Sequence, residues 1–211
     1  MGEARILRLK DVATVRISTV DKQSNEVDPR VRLCNYVDVY YNERITADLN
    51  FMEATATRNQ IRQFGLRKGD VLITKDSETP DDIGVPALVV VDEPDLVCGY
   101  HLAMVRPNID VVDPGYLYLA MAAAPFRQQL SAAATGVTRF GLRDNEIKSA
   151  TLRVPDLGEQ RRISEMVSRE FRRMDEIEGY LARTGELMSE RRVAMITAAA
   201  TGEFEAYGDS R

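Results

Sequence analysis

Residues Val154–Ile163, VPDLGEQRRI, set a proline-broken apolar segment directly against a run of charge. Pro155 disfavours helix in the residue before it. Asp156 suits a helix N-cap, and Glu159, three residues on, completes a capping box by reaching back to the cap backbone. The stretch therefore predicts a boundary at about residue 156, with a mixed region before it and a single long helix after it. Three parts are expected: a domain over 1–155, a helix over 156–202 and a short tail over 203–211.

Downstream of that boundary the chain has no proline between Leu157 and Ala200. Apolar residues recur every seventh position at Val167, Met174, Leu181, Met188 and Met195, the spacing of a coiled-coil seam. A second column is mixed: Ile163 and Ile177 fit it, whereas Glu170, Thr184 and Arg191 interrupt it and suit a role in setting register. Gly179 and Gly185 each weaken a helix interior by about 1 kcal/mol relative to Ala, which favours a bend there, and Gly202 suits a helix stop. At about 1.5 Å per residue the helix would be a rod about 65 Å long. Such a rod cannot bury its whole apolar column on the preceding residues, so a partner helix is expected. The plainer alternative is that half the stripe packs on its own domain and the rest is a solvated tail.

Upstream, ATVRIS, VRLCNYVDVYY, GDVLITK, PALVVVD and CGYHLAMV read as strands on their β-branched and aromatic content. Loops rich in Asp, Ser, Pro and Gly separate them. Two helical pieces interrupt the strands, ATRNQIRQF and DPGYLYLAMAAAPFRQQLSAAA, the second broken near Pro125. The expected class is α+β, a mixed but mostly antiparallel twisted sheet followed by one long C-terminal coiled-coil helix.

Bulk properties narrow the function. A 211-residue chain suits one globular domain plus an appendage, and no apolar run approaches the roughly 20 residues that span a bilayer. The N-terminus lacks the apolar core of a signal peptide, so a cytoplasmic protein without membrane contact is expected. Cys34 and Cys98 have no metal-ligand spacing and read as buried free thiols. The net charge is −5, with 19 basic against 21 acidic residues over 1–155 and 9 against 12 over 156–211. A nucleic-acid surface on this chain must therefore come from clustered arginines on an acidic body.

The C-terminal GVTRFGLRDNEIKSATLRVPDLGEQRRI and LMSERRVAMITAAATGEF resemble the conserved region of the specificity (S) subunit of type I restriction-modification systems. Within them, Glu159-Gln160 and Thr201-Gly202 mark the two ends of one helix. LRLKDVATV and IRQFGLRKGDVLITK look like parts of its target recognition domain. The resemblance is to a half-size form with one recognition domain and one long helix. It implies a non-catalytic protein that reads one half of a bipartite double-stranded DNA target. It also implies pairing with itself as an antiparallel homodimer, or with a second half-subunit. The partner subunits it implies are a methyltransferase using S-adenosylmethionine and a restriction translocase using ATP and Mg, with no cofactor on this chain.

Candidate DNA contacts are side chains able to reach bases or phosphates from loops on a rigid sheet. They are Arg30 and Arg32 at a strand start, Tyr40, Asn42 and Arg44 after one, Arg58 and Arg62 on one helix face, Lys75, and Thr138 and Arg139 in a glycine-bounded loop. Arginine pairs bidentately with guanine and asparagine with adenine, which is why these types matter. For any single one, a solvated surface charge is the simpler reading. Arg161, Arg162, Arg172 and Arg173 suit either phosphate contacts along the helix or helical ion pairs.

Catalytic alternatives find little support. His101 is the lone histidine and reads as a structural one, and there is no Walker loop, no glycine-rich dinucleotide fingerprint and no Asn-Pro-Pro-aromatic stretch. Pro94-Asp95 with Glu146 and Lys148 formally match a metal-dependent nuclease, but their separation is long and Asp95 lies in an apparent turn. A structural coiled-coil protein and a silent truncated remnant stay open as non-enzymatic alternatives.

Overall fold

The computed structural model describes residues 4–202, so the expected 203–211 tail lies outside the described residues. The elements are β1 (Arg5–Arg8), α1 (Leu9–Val12), β2 (Ala13–Ile17), β3 (Arg30–Cys34), α2 (Tyr36–Tyr40), β4 (Arg44–Ile45), β5 (Met52–Thr55) and α3 (Arg58–Phe64). Next come β6 (Val71–Thr74), β7 (Asp76–Ser77), β8 (Pro86–Val89), β9 (Leu96–Cys98), β10 (Leu102–Pro107), α4 (Pro114–Ala122) and α5 (Ala124–Ala133). The chain then forms β11 (Phe140–Gly141), α6 (Asp144–Ser149), β12 (Thr151–Val154) and α7 (Leu157–Thr201). It divides into two compact units, one ending at Glu165 and one beginning at Met166.

In the first unit a five-stranded sheet has the order β2-β10-β6-β8-β4 and a three-stranded sheet the order β5-β3-β9. Among the described strands only the β3–β9 and β4–β8 pairs are parallel, and a single parallel bridge joins Val20 to Gly99. The sheets share one buried cluster that includes Leu33, Ile45, Leu72, Leu96, Leu102 and Met104. All four residues of β6 are buried, as a central strand covered on both faces requires. Cys34 and Cys98 face one another in register across β3 and β9 as buried free thiols.

Two expected strands are corrected. In VRLCNYVDVYY only residues 31–34, part of β3, are extended; Tyr36–Tyr40 is helical, because the Asp38 carboxylate accepts from the Asn35 backbone N–H at 2.7 Å and closes a capping turn that outweighs local β propensity. In CGYHLAMV the chain turns at Gly99–His101 before β10 begins. The helical expectations fit: Thr57 and Gln60 form the capping box of α3, and the second piece breaks at Ala123, in extended conformation just before Pro125. β1 pairs antiparallel with β12, Arg5 opposite Val154, which joins the start of the described chain to the strand leading into α7.

The turn into α7 departs from a full capping box. Asp156 Oδ1 accepts from the Glu159 N–H at 2.9 Å, but the Glu159 carboxylate turns away to form an ion pair with Arg162 at 2.7 Å. The anchoring falls to Gln160, the one buried residue of the helix. Its Oε1 accepts from the Asp113 N–H at 2.8 Å, and its Nε2 donates to the carbonyls of Pro155 at 2.8 Å and Val111 at 3.1 Å. Both of its N–H donors and its carbonyl oxygen are thereby engaged inside the first unit, binding the first turn of α7 to the start of α4.

α7 runs unbroken for 45 residues, through Gly179 and Gly185, and ends at Gly202 with φ +76°. At about 1.5 Å per residue that is about 67 Å. Met174, Ile177, Leu181, Met188 and Met195 are each at least half exposed, while Ile163 and Val167 are partly buried. No helix among the described residues is long and apolar enough to cross a membrane.

Candidate nucleic-acid interface

One open cleft gathers side chains from three separate stretches. Its first wall is α2, which stacks Tyr36 on Tyr40 with ring centroids 5.4 Å apart and sets Tyr41 edge-on to Tyr40 at 5.0 Å. The second is the segment from β7 through Asp82. The third is the loop carrying Thr138 and Arg139. Together they line a cleft of about 720 Å³ that includes Tyr40, Ser77, Glu78, Asp82, Thr138 and Arg139.

Backbone pairing fixes the third wall. β11 pairs antiparallel with β7, the Leu142 N–H donates to the Lys75 carbonyl at 2.8 Å, and Thr135 and Gly141 exchange hydrogen bonds at 2.9 and 3.1 Å. Gly136 sits at φ +150° with its missing Cβ directed at the Arg139 carbonyl, so a side chain there would displace the loop. Thr138 and Arg139 are both exposed at its tip.

Asp76 organises the floor. Its carboxylate takes the Lys75 Nζ at 2.7 Å and His101 Nδ1 at 2.9 Å. Burial pushes the Asp76 carboxyl up, but the hydrogen bonds from His101 and Lys75 outweigh it and hold the group below the usual carboxylate range. His101 thus has the structural role expected of it, and Lys75 is spent on Asp76 rather than presented to a ligand. A carboxyl lowered on folding contributes stability that is complete above its unfolded value and is lost as pH falls through its folded value. Acidification below about pH 4 should therefore loosen the cleft floor, by about 1–3 kcal/mol for the charged hydrogen bonds. The protection of the backbone amides of residues 75–77 and 135–142 against hydrogen exchange, taken relative to the intrinsic rate at each pH, should fall on acidification in the wild type, and should already be low and insensitive to acid in Asp76→Ala. Equal acid sensitivity in the two proteins would refute the assignment.

The remaining candidates lie elsewhere. Arg32 is committed internally, bound to Asp95 at 2.8 Å and to Glu93, and these hydrogen bonds hold its guanidinium well above the ordinary arginine value. Arg30 is exposed beside Glu26, Asp28 and Glu53 in an acidic setting. Asn42 donates to the Asp38 carbonyl at 2.9 Å and closes the end of α2, and Arg44 lies partly buried on β4. Arg58 and Arg62 are exposed on α3, apart from the cleft lining. Arg162 is ion-paired to Glu159, the helical reading.

The nuclease triplet is dispersed among other partners: Asp95 holds Arg32, Glu146 accepts from the Arg143 N–H at 2.6 Å, and Lys148 binds Asp144 at 2.6 Å. Among the described residues no three acidic, His or Cys groups converge as metal ligands. Both thiols are driven upward in pKa by burial, which keeps them protonated and unreactive.

The class of fold is an α+β unit followed by one 45-residue helix that is largely exposed. The chain belongs to the type I restriction modification DNA specificity domain family, whose model matches residues 1–181. Among solved structures it resembles one concerned with complex assembly and conformational transition of the type I R-M system, at 18% identity and TM-score 0.66, over 94% of this chain and 46% of that one. It also resembles the type I restriction-modification S subunit from M. genitalium, at 14% identity and TM-score 0.53, over 82% of this chain and 40% of that one. The HsdS subunit from Thermoanaerobacter tengcongensis matches at 18% identity and TM-score 0.53, over 84% and 40% of the two chains. The chain therefore spans under half the length of these solved proteins. No curated protein matches it.

Proposed function

We propose that the chain is a non-catalytic DNA specificity subunit whose head reads one half-site of a bipartite duplex target and whose long helix pairs with a second head. The observation that carries the reading is the cleft, where Arg139 and Thr138 stand on a backbone-braced loop opposite the Tyr36–Tyr40–Tyr41 wall. Arginine suits guanine, and the carboxylates of Glu78 and Asp82 suit the amino group of cytosine. Chemistry would then reside in partner subunits: a methyltransferase holding S-adenosylmethionine and a restriction subunit using ATP and Mg. The exposed column Met174, Leu181, Met188 and Met195 supports an antiparallel pairing with a second copy, since a two-fold axis buries the same face on both chains.

The test is binding of Arg139→Ala, with the methyltransferase subunit present, to a target selected with the wild-type protein. A loss of about 1–3 kcal/mol, concentrated at one position of the half-site, is expected for a base contact. Equal binding of wild-type protein to target and scrambled half-sites would refute sequence reading.

A further inference from the structure

The cleft is poorly suited to hold the DNA backbone. Asp76, Glu78 and Asp82 line it against Arg139, and Lys75 and His101 are already engaged by Asp76. Phosphates nonetheless supply most of the affinity of DNA-binding proteins, so the positive charge must lie elsewhere. We propose that α3 and the turn after it, through Arg58, Arg62, Arg67 and Lys68, form a phosphate-binding surface that positions the duplex without reading it. This inference rests on the DNA-reading function proposed above.

Residues 58–68, RNQIRQFGLRK, hold four basic side chains and no acidic one, on a chain of net charge −5. All four are exposed, and among the described residues none is in an ion pair; Arg62 makes a single 3.4 Å contact with Asn59. Arg58 and Arg62 are one helical turn apart on the same face of α3. Arg62 and Arg67 line one groove together with Asp92 and Glu93. Of these two acids Glu93 is ion-paired with Arg32, and Asp92 accepts from the Lys68 backbone N–H at 2.8 Å and keeps its charge, so four basic side chains face one carboxylate without a cationic partner. Other cations nearby have structural duties, since Arg16 donates to the Gln63 carbonyl at 2.9 Å and Arg106 binds the buried Asp70. The four thus differ from Arg16 and Arg106 in that, among the described residues, no carboxylate or main-chain carbonyl holds their side chains.

Position completes the case. Arg67 and Lys68 lead into β6, and Lys75 to Ser77 leave it, so the basic surface and the cleft lie at opposite ends of one strand. The six residues 70–75, β6 with one residue on either side, span about 17 Å. At about 3.4 Å per base pair that is about five base pairs, so phosphate contact and base contact would fall on different steps of one duplex.

The test compares the full chain, in complex with its methyltransferase subunit, with a variant carrying Arg58→Gln, Arg62→Gln, Arg67→Gln and Lys68→Gln. A second variant, with the three arginines changed to lysine, retains the charge and controls for folding. The probes are a random-sequence duplex and the selected target, titrated between about 50 and 200 mM salt. The glutamine variant should lose about 3 to 4 from the slope of log K against log salt, with equal fold-losses on both duplexes, and the lysine variant should keep the wild-type slope. An unchanged slope in the glutamine variant overturns the proposal, as does a loss confined to the selected target, which would make the surface a reader of bases. Reduced methyltransferase binding with normal DNA binding also overturns it, marking an acidic protein as the partner. A wild-type protein with no preference between the duplexes would refute the sequence-reading function instead, and the slope would still be measurable.

Discussion

Asp70→Ala is expected to cost about 3–5 kcal/mol, the price of leaving a buried ion pair with one partner. The Asp70 side chain is 2% exposed and accepts from Arg106 Nε at 2.8 Å, Arg106 Nη2 at 2.7 Å and the Arg67 N–H at 2.9 Å. Arg106 also donates to the Gly65 carbonyl at 2.9 Å, so the pair ties the entry to β6, the end of α3 and β10 into one node. Removing the carboxylate strands a partly buried guanidinium that burial alone would disfavour. Since domains of this size are stable by about 5–15 kcal/mol, the loss should be large in urea unfolding followed by circular dichroism. The double change Asp70→Leu with Arg106→Met should recover much of it, because two apolar groups carry no unpaired charge. A single-variant loss below about 1 kcal/mol would contradict this account of the node.

The second large effect is expected at Leu181. It is the middle member of the column Val167, Met174, Leu181, Met188 and Met195, so in an antiparallel pair centred on that column it lies at the two-fold axis against its own copy. Leu181→Asp would remove two buried leucines at once and set two carboxylates face to face. Lost burial alone is worth about 3 kcal/mol or more, roughly a hundredfold in dimer dissociation, before the charge repulsion is added. Light scattering should give twice 23.7 kDa for the wild type and 23.7 kDa for the variant at micromolar concentration. A wild-type monomer, or a variant that still dimerises, would contradict the pairing.

The elements legible in the sequence were those with a local or periodic cause. The long helix followed from Pro155, Asp156 and the seven-residue column, and α3 from Thr57 and Gln60. α2 was misread because VDVYY has strong strand propensity, yet its cap signal, Asn35 with Asp38 three residues on, was present. The pairings β1–β12 and β7–β11 join residues far apart in the chain, and the two-residue β7 and β11 carry no periodicity to detect. Of the candidate contacts named from residue type, Tyr40, Thr138 and Arg139 line the cleft, Tyr40 from a helix and not from a loop. The capture of Lys75 by Asp76 and of Arg32 by Asp95 depends on tertiary neighbours that no local pattern reports. The same holds for Gln160, where the Glu159-Gln160 signature was recognised but only the fold shows the amide bound to three backbone groups.

Selection of bound sites from random duplex DNA tests the central claim most directly, using the wild-type chain with the methyltransferase subunit proposed for it and a variant lacking the heptad Glu178–Thr184. The wild type should enrich two copies of one half-site in inverted orientation, separated by a fixed gap. Deleting one heptad from each of two antiparallel helices keeps the apolar column in phase and brings the heads about 10 Å closer at about 1.5 Å per residue. The gap should then shorten by about three base pairs, at about 3.4 Å per pair, with the half-sites unchanged. Enrichment of a single ungapped site, or a gap that ignores the deletion, would contradict a pair of reading heads spaced by α7.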